Sequence, residues 1–548
     1  MSLGLHTDYG AVLGGKHPSW IPIPVPWKAA FLPGPAEIKL FFYFAVMNTR
    51  KPTSELYSTF TAKMQAIADV RNAMAVLGWD QETYLPEKGA AFRGQQLTTL
   101  STIAHEMFTA TELGDVLQEL RSRGDLNATQ RKNVELSQED YEKNKKYPAS
   151  FVAEMSQTTN ACYHAWIKAR KANSYAEFEP LLAKMVLLKK QETNILGFEG
   201  HPYNALLNEY EKGASTTMLD TIFDAVKTAL TPLLRRIEQK PQVNKDFLHL
   251  RYEHAKQWEL GIALLKDMGY DMGAGRQDIS EHPFTTSFSP QDVRVTTRID
   301  EQDFGNMTWS CIHEGGHALY EQGLPTEEYG LPCGEAASLG IHESQSRLWE
   351  NNVGRSKAFW QHHYGKLQQT FPDNLQNISL DQFYKGINLV QPSLIRTEAD
   401  ELTYHFHVMI RYEIEKGLLE GTYSTKDLDQ VWNRYYQEYL HVSAPSATQG
   451  VLQDIHWSHG SFGYFPTYSL GSFYAAQFFA AAQQQLPGLT EQIATGQYGK
   501  LLSWLRENIH RHGRFYTSNE LCEKVTGQPL DFQYFLKYAE DKFGEIYG

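Results

Sequence analysis

His313-Glu314-Gly315-Gly316-His317 sets two imidazoles four residues apart with a carboxylate beside the first. The stretch reads as helix: Trp309, Ile312, Leu319 and Tyr320 supply apolar positions and Gly323 a stop. Residues four apart share a helix face. His313 and His317 can therefore each give one ring nitrogen to a single metal ion. Glu314 then stands beside the open coordination position, where it can take a proton from water. The pentapeptide alone occurs by chance in long helical chains. A third ligand is what makes it a site.

That ligand has to leave a fourth position open. The metzincin continuation needs Gly and then His, three and six residues after the second histidine. Those positions hold Tyr320 and Gly323, which excludes that class. The downstream carboxylates are Glu321, Glu327, Glu328, Glu335, Glu343 and Glu350. Glu321, one turn beyond His317, would strain the geometry. Glu327 and Glu328 sit in a Pro/Gly-bounded loop, and Glu335, near a helix start, reads as a dipole partner. Glu343 fits best. Ser338–Gln345 opens a second helix, with Leu348 and Trp349 as core positions, and a short crossover can bring it antiparallel to the first. His342 competes, but it faces about 100° away from Glu343 on a helix and reads as a satisfied polar histidine. Cys311 and Cys333 flank the motif and read as small buried residues rather than thiolate ligands. Gly315 and Gly316 each cost roughly 1 kcal/mol relative to alanine in a helix, which implies close approach by a neighbouring helix or by substrate.

The chain that must position these groups has 548 residues and a formal net charge of −13. It lacks the excess of Lys and Arg that a nucleic-acid partner requires. The four cysteines show no C-x-x-C spacing, which points to a reducing, cytoplasmic setting. No segment approaches the ~20 apolar residues that span a bilayer, and the apolar run Leu40 to Met47 lies too far from the start for a signal peptide. Residues 1–46, broken by Gly14-Gly15 and by Pro18, Pro22, Pro24, Pro26, Pro33 and Pro35, read as an irregular extension or as translation from an upstream start. Residues 47–548 read as one helical domain. Met64, Ile67, Ala68, Val70, Met74 and Leu77 mark one amphipathic stripe, and similar patterns fill 95–245 and 350–548. One exception stands just before the motif. Phe284–Phe288 and Val293–Ile299 are rich in β-branched and aromatic residues, with turn chemistry at Ser289-Pro290-Gln291-Asp292. This predicts a hairpin, whose exposed edge can align an extended peptide by main-chain hydrogen bonds.

Six separated blocks carry a family resemblance: His282-Pro283-Phe284; Asp292-Val293-Arg294-Val295-Thr296; His313–His317; His342-Glu343-Ser344-Gln345; Ile395-Arg396-Thr397-Glu398-Ala399-Asp400; and Gly450–Trp457. Their order and rough spacing resemble the carboxypeptidase Taq family of metallocarboxypeptidases, from about Ser54 to the C-terminus. The resemblance implies a mostly α, cleft-bearing fold similar to neurolysin and angiotensin-converting enzyme. It implies one divalent ion, zinc with cobalt as the alternative, held by His313, His317 and Glu343, with Glu314 as the catalytic carboxylate. It also implies a homodimer acting on peptides with a free C-terminal carboxylate. By likeness to related helical peptidases, Tyr464 in the turn Gly463–Tyr468 is the candidate oxyanion donor, with Tyr468 the other phenol there. Arg396 is the candidate reader of the substrate carboxylate, because a guanidinium forks onto it. An ion pair with Asp400 on one helix is the alternative use of Arg396. Arg294 on the hairpin is the second candidate, and His456 a candidate donor to substrate. Trp79 and Asp80 are placed on a possible lid helix. Two other functions compete: an endopeptidase on the same scaffold, and a non-catalytic peptide-binding module, for which Glu314 would have no use.

Overall fold

The amphipathic periods fold as helices along nearly the whole chain, and the computed structural model describes residues 51–548. The extension expected over 1–46 lies outside the described residues. Thr53–Gly548 forms one compact unit. Its first helix, α1 (Thr53–Thr83), buries Leu56, Phe60, Met64, Ile67 and Trp79; of the stripe read from sequence only Met64 and Ile67 are buried, while Ala68, Val70, Met74 and Leu77 are half-buried. No helix among the described residues is long and apolar enough to cross a membrane.

The expected hairpin is present. Strands β2 (Thr285–Ser289) and β3 (Asp292–Thr297) pair antiparallel, with Thr285 opposite Val295 and Thr286 opposite Arg294. A register shift between Ser287 and Ser289 bends β2. The sheet has a third strand that the sequence pattern hid: β1 (Gly275–Ile279) pairs parallel to β3, giving the order β1-β3-β2. Gly-Arg-Gln-Asp-Ile carries no apolar alternation, so only pairing with β3 makes it a strand. The helix before it, α2 (His254–Met268), and the sheet flank α3 (Phe304–Glu321), the helix of the H-E-x-x-H motif. Asp303 caps α3 by accepting from the Gly305 amide at 2.8 Å.

The second helix of the site, α4 (Leu339–Arg347), starts at Ser338, whose hydroxyl caps the Ile341 amide at 2.9 Å. It widens into a buried π turn, Leu348–Gly354, of the kind often found at functional sites. The paired glycines of α3 are explained by neighbouring helices. A Cβ on Gly316 would stand 2.6 Å from Ser346 Cα and 2.7 Å from the Gln345 carbonyl oxygen of α4. One on Gly315 would stand 2.8 Å from Leu265 of α2. Two further helices complete the surroundings: α5 (Tyr404–Glu420) and α6 (Phe465–Gln485), the latter packed along α4.

Candidate metal centre and the residues around it

The crossing at Gly316 brings α3 and α4 close enough for His313, His317 and Glu343 to converge. One ligand atom from each lies within 4.8 Å of the others. Glu343 Oε2 stands 3.7 Å from His313 Nε2 and 3.5 Å from His317 Nε2. Ligands held at about 2.0–2.1 Å by a tetrahedral ion are about 3.4 Å apart, so the donor set fits a divalent cation of that geometry. The other ring nitrogens are occupied. His313 Nδ1 donates to Glu350 Oε2 at 2.9 Å, and His317 Nδ1 donates to the His342 carbonyl at 3.0 Å. Both Nε2 lone pairs therefore face the common point, the arrangement that fixes tautomer and ring orientation in metal sites.

The charges around the cluster follow from burial and pairing. Burial works against an ionised Glu343, but Arg347, with Nε 2.7 Å from Oε1, and His313 hold its carboxyl well below the ordinary range. Burial also drives His317 down to about 3, helped by His342. Burial opposes protonated His313 too, yet Glu343 and Glu350 outweigh it and raise its pKa. Glu314 is 8% exposed, and burial raises its carboxyl despite His313 and Thr285. The Thr285 hydroxyl on β2 lies 2.6 Å from Glu314 Oε2 and 3.0 Å from its backbone oxygen, so the hairpin orients the candidate base.

Of the carboxylates weighed as third ligand, Glu350 is the partner of His313, two turns beyond Glu343, and Arg347 and Arg355 also donate to it. Glu321 instead holds His342 Nε2 at 2.8 Å, which makes His342 a satisfied polar histidine as its orientation suggested. Cys311 and Cys333 are 1% and 3% exposed, and all four cysteines are free and buried. Burial pushes both thiols up to about 12, which leaves them poor ligands. Among the described residues a second group, Asp267, His362 and His363, also clusters, but two of its three members are exposed and His363 Nδ1 is 3.9 Å from Asp267.

Arg396 is not on a helix and does not pair with Asp400, which corrects the alternative use expected for it. It sits in a single 3₁₀ turn, Arg396–Glu398, because Asp400 turns back to accept from the Leu402 and Thr403 amides and starts the next element. Arg396 Nε and Nη2 donate to Asp454 Oδ1 at 3.0 and 2.9 Å, and Nη1 donates to the Tyr404 hydroxyl at 3.0 Å. Arg411 holds the other oxygen of Asp454 at 2.6 Å. Two of the six blocks thus meet in one buried network. Arg294 donates from Nε and Nη2 to Asp292 at 2.9 Å each, and its guanidinium lies over Trp79 (4.5 Å) and Phe288 (4.9 Å). It ties α1 to the hairpin. Trp79 is buried there, and Asp80 pairs with Arg93 at 2.7 Å.

His456 and Tyr464 come together across a turn, with ring centroids 5.3 Å apart. His456 Nε2 is 3.0 Å from the Tyr468 hydroxyl, while its buried Nδ1 has no partner among the described residues. Burial, and then Arg396, lower His456 to about 3. Burial, and then Glu343, push the Tyr464 phenol up to about 12, so it keeps its proton as a donor. Thr285, Glu350 and Asp454 are the partners that sequence reasoning missed. A carboxylate seven residues past Glu343 was a readable signal for Glu350; Thr285 gave none.

Residues 59–543 match the family model described as carboxypeptidase Taq (M32) metallopeptidase. Carboxypeptidase 1 of Bacillus subtilis is 37% identical over 488 residues, covering 88% of this chain and 97% of that protein. A solved M32 carboxypeptidase from Deinococcus radiodurans R1 superposes with a TM-score of 0.88 at 40% identity, covering 90% of this chain and all of that one. A solved protein called CHT superposes with a TM-score of 0.88 at 72% identity, covering 89% and 99%.

Proposed function

Because the chain belongs to the carboxypeptidase Taq (M32) family and is a metal-dependent carboxypeptidase, we propose that His313, His317 and Glu343 hold its divalent ion and that Glu314 is its general base. The supporting observation is the facing of both Nε2 atoms onto Glu343 Oε2, with Glu314 held by Thr285 beside them. A divalent ion in that set supplies a Lewis acid for the scissile carbonyl and acidifies water. Glu314 takes the proton of the attacking water, whose oxygen adds to the carbonyl carbon, and passes that proton to the amine as the C–N bond breaks. Burial raises Glu314 and so strengthens it as a base. Tyr464 donates its phenolic hydrogen to the carbonyl oxygen as charge builds there. His456 Nδ1 donates to the same group or to the adjacent peptide. Arg396 reads the terminal carboxylate with the N–H groups left after Asp454 and Tyr404 are served. The outer edge of β2 aligns the peptide main chain.

The ion is zinc in this proposal, since two imidazoles and one carboxylate with an open position suit it. Four buried free cysteines support a cytoplasmic, reducing setting, and the family likeness supports a homodimer. Residues 47–548 act as one catalytic domain. Metal analysis of the purified protein, coupled to digestion of one peptide as free acid and as amide, tests the reading. One zinc per chain and stepwise loss of C-terminal residues from the acid alone is the expected result. Equal cleavage of both forms makes it an endopeptidase.

A further inference from the structure

We infer that Glu415 is a positioning residue for the reaction, its buried carboxylate fixing the two chain segments that present His456 and Tyr464. The inference rests on the proposed roles of those two residues. Glu415, on α5, is completely buried. Its Oε1 accepts from the Trp457 indole at 2.9 Å, and its Oε2 accepts from the Gly463 amide at 2.9 Å and the Tyr203 hydroxyl at 2.6 Å. Trp457 directly follows His456, and Gly463 directly precedes Tyr464. One side chain therefore grips the neighbours of both candidate donors.

The backbone between those grips is a tight turn, closed by the Gly460 amide on the Trp457 carbonyl, the Ser461 amide on the His456 carbonyl and the Phe462 amide on the Gly460 carbonyl, and Glu415 ties its two ends together. After one short 3₁₀ turn the backbone passes through positive φ at Gly460 (72°) and Gly463 (94°). At Gly463 a Cβ would stand 2.7 Å from the Leu206 carbonyl carbon and oxygen, so only glycine brings this amide to the carboxylate. Two obligate N–H donors, the Trp457 indole and the Gly463 amide, meet different oxygens of the carboxylate, so an amide in its place would turn N–H toward one of them. The choice is costly, since a buried carboxylate without a paired cation is destabilising. Burial pushes Glu415 up to about 7 against the pull of its three donors, with Lys189 the least of the opposing influences. A turn that needed only to be closed could be held by neutral groups at lower cost. What the carboxylate adds is a fixed distance between two segments whose side chains already meet: Tyr464 packs on His456 and, at 5.2 Å, on Tyr210.

The test is a mutant cycle on the metal-loaded enzyme with a free-acid peptide. Glu415→Gln keeps shape but turns an amide N–H toward at least one donor. It should lower kcat about 10- to 100-fold, the cost of misplacing a catalytic group by an ångström or less, with KM and metal content unchanged within about twofold. In a Tyr464→Phe background the same change should cost several-fold less, since one of the two groups it acts through is gone. Tyr203→Phe, which leaves both grips intact, should lower the melting temperature and leave kcat alone. Unchanged kcat in Glu415→Gln, or an undiminished loss in the Tyr464→Phe background, overturns the inference. If Tyr464→Phe is itself inert, the donor role of Tyr464 falls and the cycle against His456→Gln decides Glu415 separately. Should Glu415→Gln not fold, Trp457→Phe removes one grip only; unchanged kcat there likewise overturns it.

Discussion

His313, His317 and Glu343 stand on two regular helices that meet at one close crossing, Gly316 against Ser346. Arg396 and His456 stand on short 3₁₀ turns and Tyr464 on the residue that precedes a helix, and buried side chains hold them. Around the candidate metal ligands each imidazole has an orienting acceptor: Glu350 for His313, and the carbonyl and ring nitrogen of His342 for His317. In the proposed substrate half Asp454 serves Arg396 and Arg411 at once, while Gln453 reaches both the Arg396 amide and Arg411. On regular backbone the direction of each ligand follows from helix spacing, and Arg347 joins the carboxylates of Glu343 and Glu350. Irregular backbone has to be held by side chains, so a change in one is passed to the rest.

The largest effect separates chemistry from metal binding inside the metal half. Glu314→Gln should retain the ion and lower kcat about 1,000-fold, in line with the loss of a general base; near-normal turnover at full metal occupancy would remove Glu314 from that role. Next comes the independence of the imidazole partners. Glu350→Gln should weaken metal affinity about 10- to 100-fold, measured by competition with a chromogenic chelator, while saturating metal restores kcat. If saturation does not restore it, the metal half is as collective as the other. Arg396→Ala probes the substrate half: kcat/KM for free-acid peptides should fall about 100-fold, roughly 2.7 kcal/mol, with much less change for any slow cleavage of amides. Equal losses would make Arg396 part of the support for Asp454 rather than a reader of substrate.

A smaller effect concerns stability. Glu211, 3% exposed, holds the Gly340 amide at the start of α4, and burial raises its carboxyl to about 7 against Ser518 and Ser338. A carboxyl raised on folding binds its proton more tightly in the native state. Its contribution is complete below the unfolded pKa near 4.5 and is lost as pH rises through about 7. The loss is on the order of 3 kcal/mol. Melting temperature at saturating metal should fall from pH 5 to pH 8, and Glu211→Gln should flatten that slope; a parallel slope would show that Glu211 is not its source. The smallest expectation is a null: a chain starting at Met47 should keep the kcat of the full chain.

Much of the metal half was readable before any coordinates. The four-residue spacing of His313 and His317 forces a shared helix face, and the start of a second helix at Ser338 selected Glu343 over its rivals. The hairpin was readable from β-branched residues and a Ser-Pro turn. Strand β1 was not, because its residues become a strand only by pairing with β3. Nor was the ion pair of Arg396, since the residue that claims it, Asp454, lies 58 positions away.

Local periodicity thus determined most of the helices, the shared face of the two histidines and the choice of Glu343 as candidate third ligand, because helix geometry converts spacing in sequence into direction in space. Tertiary structure alone decided which lone pairs face the metal point, that Thr285 holds Glu314, that Arg396 faces Asp454, and that Glu415 grips both sides of one turn. Those are contacts between segments tens or hundreds of residues apart, formed only when burial forces each polar group to find a partner.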